Sequence, residues 1–148
     1  MSQLFSSFLL TLLVAALTVA CTQSVSSPTP ASAAYTSAQL EGSWTLASIA
    51  PAGEAKQDRP FSSVYTLTFT DGRMSTRADC NTCGGSYSVS AAAVLTAGPN
   101  LACTRAACPT MAFENSYTAM LSGDSNIVVS GSTLTLSSST GTLQFVRN

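Results

Sequence analysis

The chain has 148 residues, 45% hydrophobic and 9% charged, with five Cys, six Lys or Arg against seven Asp or Glu, and no His. That length suits one domain plus an export segment, and a net charge of −1 offers no basic face to a phosphate backbone, which argues against nucleic acid as a partner. The lack of His excludes Ser-His-Asp and Cys-His catalysis, His-type acid/base chemistry and His-ligated metals.

Residues Phe8 to Ala20 form an uncharged apolar run of 13 residues. A helix of that length rises about 20 Å, short of the hydrocarbon core of a bilayer. It has the length of a signal-peptide h-region, so residues 1–20 are expected to be a signal peptide. Thr18-Val19-Ala20-Cys21 resembles the bacterial lipoprotein signal, in which small residues precede a Cys that is acylated. Four Cys cluster at positions 80, 83, 103 and 108, leaving Cys21 as the odd one; lipidation at Cys21 explains it. The two chains of a diacylglyceryl group are about what stable anchoring requires. Membrane lipid is thus the expected partner, in the outer membrane if the host has one. Residues 21–38 are Ser/Thr/Pro/Ala-rich with one aromatic. They lack the apolar surface to offset ordering entropy and read as a tether, with the folded domain over 39–148.

Ser43 to Ile49 alternates modestly, with Trp44 and Leu46 on one face. Tyr65 to Phe69 alternates cleanly and is a half-buried strand. Asp71-Gly72 suits a tight hairpin turn, with Arg73 to Ala78 as the returning strand. Ser86 to Ser90, Val94 to Thr96, Ile127 to Val129, Thr133 to Leu136 and Thr142 to Val146 follow, separated by turn signals, as in an antiparallel meander. Between them, Phe113, Tyr117, Met120 and Leu121 fall on one face of a helix over 110–121. Pro109 and Thr110 are start signals and Gly123 a stop signal. That stripe reads as core. The expected fold is mainly β (α+β): a curved antiparallel sheet or partial barrel of about seven or eight short strands with one α-helix packed on it.

The four clustered Cys permit structural disulfides, a zinc knot, or a thiol oxidoreductase using Cys80-x-x-Cys83. An exported chain with an even cluster favours disulfides and disfavours four free thiolates. The C-x-x-C precedes Gly84-Gly85 and a strand pattern, so no helix N-terminus is at hand to depress a thiolate pKa. The seven carboxylates are scattered, with no metal or acid/base grouping. Asp71 reads as a turn residue and Glu114 as a first-turn helix charge. Asp79, beside Cys80-Asn81, is the carboxylate to watch. Gly84-Gly85 reads as a bulge or a close backbone approach. No cofactor and no metal are expected.

Leu40-Glu41-Gly42-Ser43-Trp44, Leu67 to Arg73, Cys80-Asn81 with Gly84-Gly85-Ser86-Tyr87, Thr104 to Pro109, Glu114, and a closing Leu134-Thr135-Leu136 with Leu143-Gln144-Phe145 resemble, in that order, the META domain, also called HslJ-like. The resemblance spans about residues 40–147 and marks Trp44, Asn81, Gly85, Tyr87 and Pro109 as motif residues. Asp79 stands where the family commonly has Gly. The resemblance implies a curved sheet or partial barrel with one helix, no established catalytic activity, and an association with heat-shock and antibiotic stress in bacterial envelopes. Family members with two Cys carry them at the positions of Cys80 and Cys108. Of three possible connectivities, the resemblance thus favours 80–108 with 83–103. Closing the first loop is worth roughly 3.5 kcal/mol in the chain-entropy model.

Two functions follow as expectations. The first is a non-catalytic, monomeric envelope lipoprotein acting by contact with another envelope protein under stress. The second is a periplasmic thiol oxidoreductase or chaperone-like factor working through Cys80 and Cys83.

Overall fold

The computed structural model describes residues 34–98 and 101–148; the expected signal peptide, Cys21 and the tether up to residue 33 lie outside them. In chain order the strands are β1 (Gly42–Pro51), β2 (Gln57–Asp58), β3 (Tyr65–Thr70), β4 (Arg73–Ala78), β5 (Asn81–Val89), β6 (Val94–Ala97), β7 (Ala102–Cys103), β8 (Asp124–Ser130), β9 (Thr133–Ser138) and β10 (Gly141–Arg147). One helix, α1 (Met111–Leu121), lies between β7 and β8. Eight strands follow one another around a closed antiparallel barrel, β1-β3-β4-β5-β6-β8-β9-β10, and β10 pairs back onto β1. The expected curved sheet or partial barrel of seven or eight strands with one helix is present as a closed barrel, and closure removes its free edges. β2 and β7 are additions that pair with β1 and β5.

Alternation drives most of this. In β3, Tyr65, Leu67 and Phe69 are buried and the Thr residues between them are not; β4 buries Met74, Thr76 and Ala78 in the same manner. The turn joining them holds Asp71 at φ 50° and Gly72 at φ 73°, the left-handed pair that a two-residue hairpin loop of this kind requires. β1 alternates less cleanly for a reason visible in its pairing. Leu46 faces Phe145 and Ser48 faces Gln144, so Ala47 is an extra, bulged residue. The bulge turns Ile49 inward where strict alternation from Trp44 and Leu46 would turn it out. Closure depends on Gly141, whose φ is +138°; a Cβ there would collide with the Ala50 carbonyl oxygen and come within 2.7 Å of Met120 Cε.

The helix starts one residue later than the period suggested and packs against β1, β4 and β10. Tyr117, Met120 and Leu121 are buried, and Phe113 packs partly buried at the margin. Tyr117 meets Tyr65 edge-on at 5.3 Å and donates its hydroxyl proton to Thr76 Oγ1 at 2.6 Å, while Thr76 donates to the Thr66 carbonyl. The phenol is thereby satisfied inside the core, as a buried tyrosine must be. After the Ser122 cap, Gly123 takes φ +82°, the glycine-favouring conformation past a helix end.

The folded unit begins earlier than expected. A short 3-10 turn at Ser37–Gln39 has a capping box from Thr36. Tyr35, the lone aromatic of the presumed tether, packs on the core and accepts a hydrogen bond from the Val129 amide at 3.1 Å.

Candidate functional site

The motif residues fall into two assemblies. The first surrounds Trp44, which is fully buried and donates from Nε1 to the Leu40 carbonyl at 2.8 Å. Arg147 lies over its ring with the guanidinium carbon 4.1 Å from the centroid, and its nitrogens donate to the carbonyls of Glu41 and Gln39. The Tyr87 hydroxyl donates to Glu41 Oε1, and its ring packs against Phe69. Burial, then the Glu41 charge, pushes the Tyr87 hydroxyl up to about 12. These contacts tie the segment before β1 to β5 and β10.

The second assembly gathers Cys80, Asn81, Cys83, Cys103, Cys108 and Pro109 where β4, β5, β7 and the start of α1 meet. Ala78 pairs with Asn81, so Asp79 and Cys80 form a two-residue turn. Asp79 takes φ 56°. A positive φ at that place suits Gly, and Asp is among the few other residues that adopt it at low cost. The Asp here has a second role that Gly could not fill. Its Oδ2 accepts from the Thr110 backbone N–H and, at 2.6 Å, from the Thr110 hydroxyl. Tyr65 donates in turn to Thr110 Oγ1 at 2.7 Å. The Thr110 hydroxyl bond holds the Asp79 carboxyl below the ordinary carboxylate value, and burial raises that of Tyr65. Thr110 stands at the helix N-cap without capping it; Asp79 fastens that end from outside the helix.

Two disulfides lock the same region. Cys80 is joined to Cys108 and Cys83 to Cys103, the pairing that the family resemblance favours. Cys83 is buried and Cys103, directly opposite it in the β5–β7 pair, is exposed. Gly84 and Gly85 pair in register with Ser75 and Met74 inside β5. Of the two expectations for this pair the bulge is absent, because β5 begins at Asn81 rather than Ser86 and is held by β4 and β7, while a Cβ at Gly84 would lie 3.5 Å from the Met74 carbonyl oxygen, a close backbone approach. Pro109 is exposed and precedes the helix.

Asn81 organises the loop between the second cysteine pair. Its Oδ1 accepts from the Ala106 N–H at 2.8 Å and the Thr104 hydroxyl at 2.9 Å. Its Nδ2 donates to the Ala106 carbonyl at 2.9 Å and to Glu114 Oε1 at 2.8 Å, and lies 3.1 Å from Cys108 Sγ. Glu114 lies in the first turn of the helix, as expected, and is buried, 6% exposed. The signal for this was in the sequence, since Glu114, Tyr117 and Leu121 stand at i, i+3 and i+7 on the buried face. Glu114, Asn81 and the segment 103–107 line a cleft of about 390 Å³ together with Met111, Asn115 and Thr118.

A match to the META domain covers residues 38–148. Two solved structures share the fold. The solution structure of a protein from Burkholderia xenovorans is 24% identical over 76% of this chain and 86% of its own, with a TM-score of 0.62. A second solution structure is 23% identical over 76% of this chain and 95% of its own, with a TM-score of 0.60. No curated protein matches. With the barrel, the helix and the motif residues in the places described, the chain belongs to the META domain family.

Proposed function

We propose that this protein is a non-catalytic lipoprotein of the cell envelope, carried on lipid attached to Cys21. Its disulfide-stapled META barrel acts as a monomer, by contact with another envelope protein, in stress tolerance. Where the host has two membranes, the outer one holds the anchor. The observation that carries the reading is the fate of the C-x-x-C. Its two sulfurs belong to different bridges, Cys80 to Cys108 and Cys83 to Cys103. A redox dithiol of the C-x-x-C type must open and close a bond between its own two cysteines, with the attacking thiolate accessible. An envelope outside the reducing cytosol is also where such bridges persist.

A contact role is further supported by the loop between β2 and β3. Arg59 pins that loop, donating to the carbonyls of Leu46 at 3.1 Å and Ser63 at 2.6 Å. Phe61 stands fully exposed at its tip. A rigidly presented aromatic loses little entropy when a partner covers it.

The anchor is tested by fractionation. Cys21→Ser is expected to move the protein from the membrane to the soluble exported fraction. Retention on membranes after a high-salt wash would refute the lipid anchor.

A further inference from the structure

Glu114 Oε2 is the one buried side-chain nitrogen or oxygen without a hydrogen-bond partner among the described residues. A buried carboxylate oxygen without a protein partner is costly, and native proteins rarely leave such a group unpaired. Its sister oxygen is occupied by Asn81, so the side chain is held in place with one acceptor to spare. Glu114 lines the cleft between the segment 104–107 and α1, and Arg105 lines the same cleft. These two opposite charges do not pair, since the single ion pair among the described residues is Lys56 with Asp58. Asn115 and Thr118 add polar groups to the lining, and Ala106, Ala107 and Met111 add an apolar share. Few convergent polar groups in a partly apolar concavity are the marks of a small-molecule site. A metal ion does not suit it: no three His, Cys, Asp or Glu side chains converge among the described residues, whereas a bound cation usually takes several such ligands.

We propose that this cleft binds a small zwitterion of the amino-acid or short-peptide class, its ammonium on Glu114 and its carboxylate on Arg105. Each contact is a charge-assisted hydrogen bond, and the guanidinium offers a carboxylate two parallel donors. Because Oε2 is buried, binding requires the segment 104–107, which has no regular secondary structure, to shift locally. The staple from Cys80 to Cys108 and the Asn81 bonds set how far it moves. The site is independent of the lipid anchor, and its test does not depend on how the protein is held in the envelope.

The test is an NMR titration of the intact, oxidised chain with the dipeptide Ala-Ala, with Ala-Ala amide, which lacks the carboxylate, and with N-acetyl-Ala-Ala, which lacks the ammonium. Ala-Ala is expected to give saturable shifts in the amides of 104–107 and of the first turns of α1. Each capped peptide is expected to bind about tenfold more weakly, the factor that 1.4 kcal/mol represents. Glu114→Gln and Arg105→Ala are each expected to weaken Ala-Ala to a similar extent. Glu114→Gln should leave the weak binding of N-acetyl-Ala-Ala unchanged, because the group it would meet is already gone. Absence of saturable shifts up to about 10 mM, the weak end of the affinity scale, would overturn the proposal. So would equal binding of all three peptides. Should Glu114→Gln perturb folding, the three peptides on the unaltered protein and the exposed Arg105→Ala decide the matter alone.

Discussion

The Asn81 amide meets the Glu114 carboxylate at 2.8 Å, joining the first residue of β5 to the first turn of α1 across a separation of 33 residues. That bond, the Asp79 bonds to Thr110 and the Cys80–Cys108 bridge all close the same junction. The helix is held at its start by a strand turn rather than by its own capping residue.

Asn81→Ala is expected to destabilise the domain by about 2–4 kcal/mol, because it leaves Glu114 Oε1 and both backbone groups of Ala106 without their partner. Asn81→Asp should be worse than Asn81→Ser, since it sets a second carboxylate against Glu114. Chemical denaturation of the oxidised protein measures both. Equal midpoints for Asn81→Ala and the unaltered chain would remove Asn81 from the junction.

The Asp79 carboxyl carries a lowered pKa in the folded state because the Thr110 hydroxyl donates to its charged form. A depressed carboxyl contributes stability that is fully present above the unfolded value near pH 4 and lost as pH falls through the folded value. The thermal midpoint is therefore expected to fall on acidification below about pH 4 in the unaltered protein, and to fall less in Asp79→Asn. Backbone geometry adds a second outcome. At φ 56°, Asp79→Gly, the family's usual residue, should be more stable than Asp79→Ala, although neither can hold Thr110. Equal stability of the Gly and Ala variants would contradict the strain argument.

Trp44→Ala should cost about 3–5 kcal/mol, the range for truncating a large buried aromatic. Trp44 is the single Trp, so intrinsic fluorescence reports its surroundings without interference. The native emission maximum is expected well to the blue of that of the denatured chain. A native maximum matching the denatured one would place Trp44 in water.

Most of the barrel was legible because most wall strands carry their own period. Tyr65, Leu67 and Phe69 alternate, and Asp71-Gly72 marks the turn that returns the chain as β4. What escaped was non-local. Nothing in the composition of β2 or β7, two residues each, announces a strand; they form because β1 and β5 present pairing groups. β5 was expected to begin at Ser86, since Asn81 to Gly85 lacks an apolar alternation, yet its backbone is captured on both sides. Closure through β10 on β1 depends on Gly141, legible only as a turn residue, and on the Ala47 bulge, which has no sequence signal. Glu114 was legible in spacing but not in sign. Its helical position points inward, while its charge argues outward until Asn81 is known to meet it.

In the proposed function the cysteine cluster is a pair of structural staples rather than a redox dithiol. The pairing is tested most directly by proteolytic mapping of the exported, unreduced protein, with thiols alkylated before digestion and mildly reduced controls alongside. Linked peptides joining Cys80 to Cys108 and Cys83 to Cys103 are expected, with no alkylation of those four residues and no change under mild reductant. After full reduction, hydrogen exchange should rise first in 80–108 and the start of α1, while the hairpins 65–78 and 133–146 stay protected longer. A peptide carrying a Cys80–Cys83 bond, or ready alkylation of either residue in the native protein, would contradict the pairing.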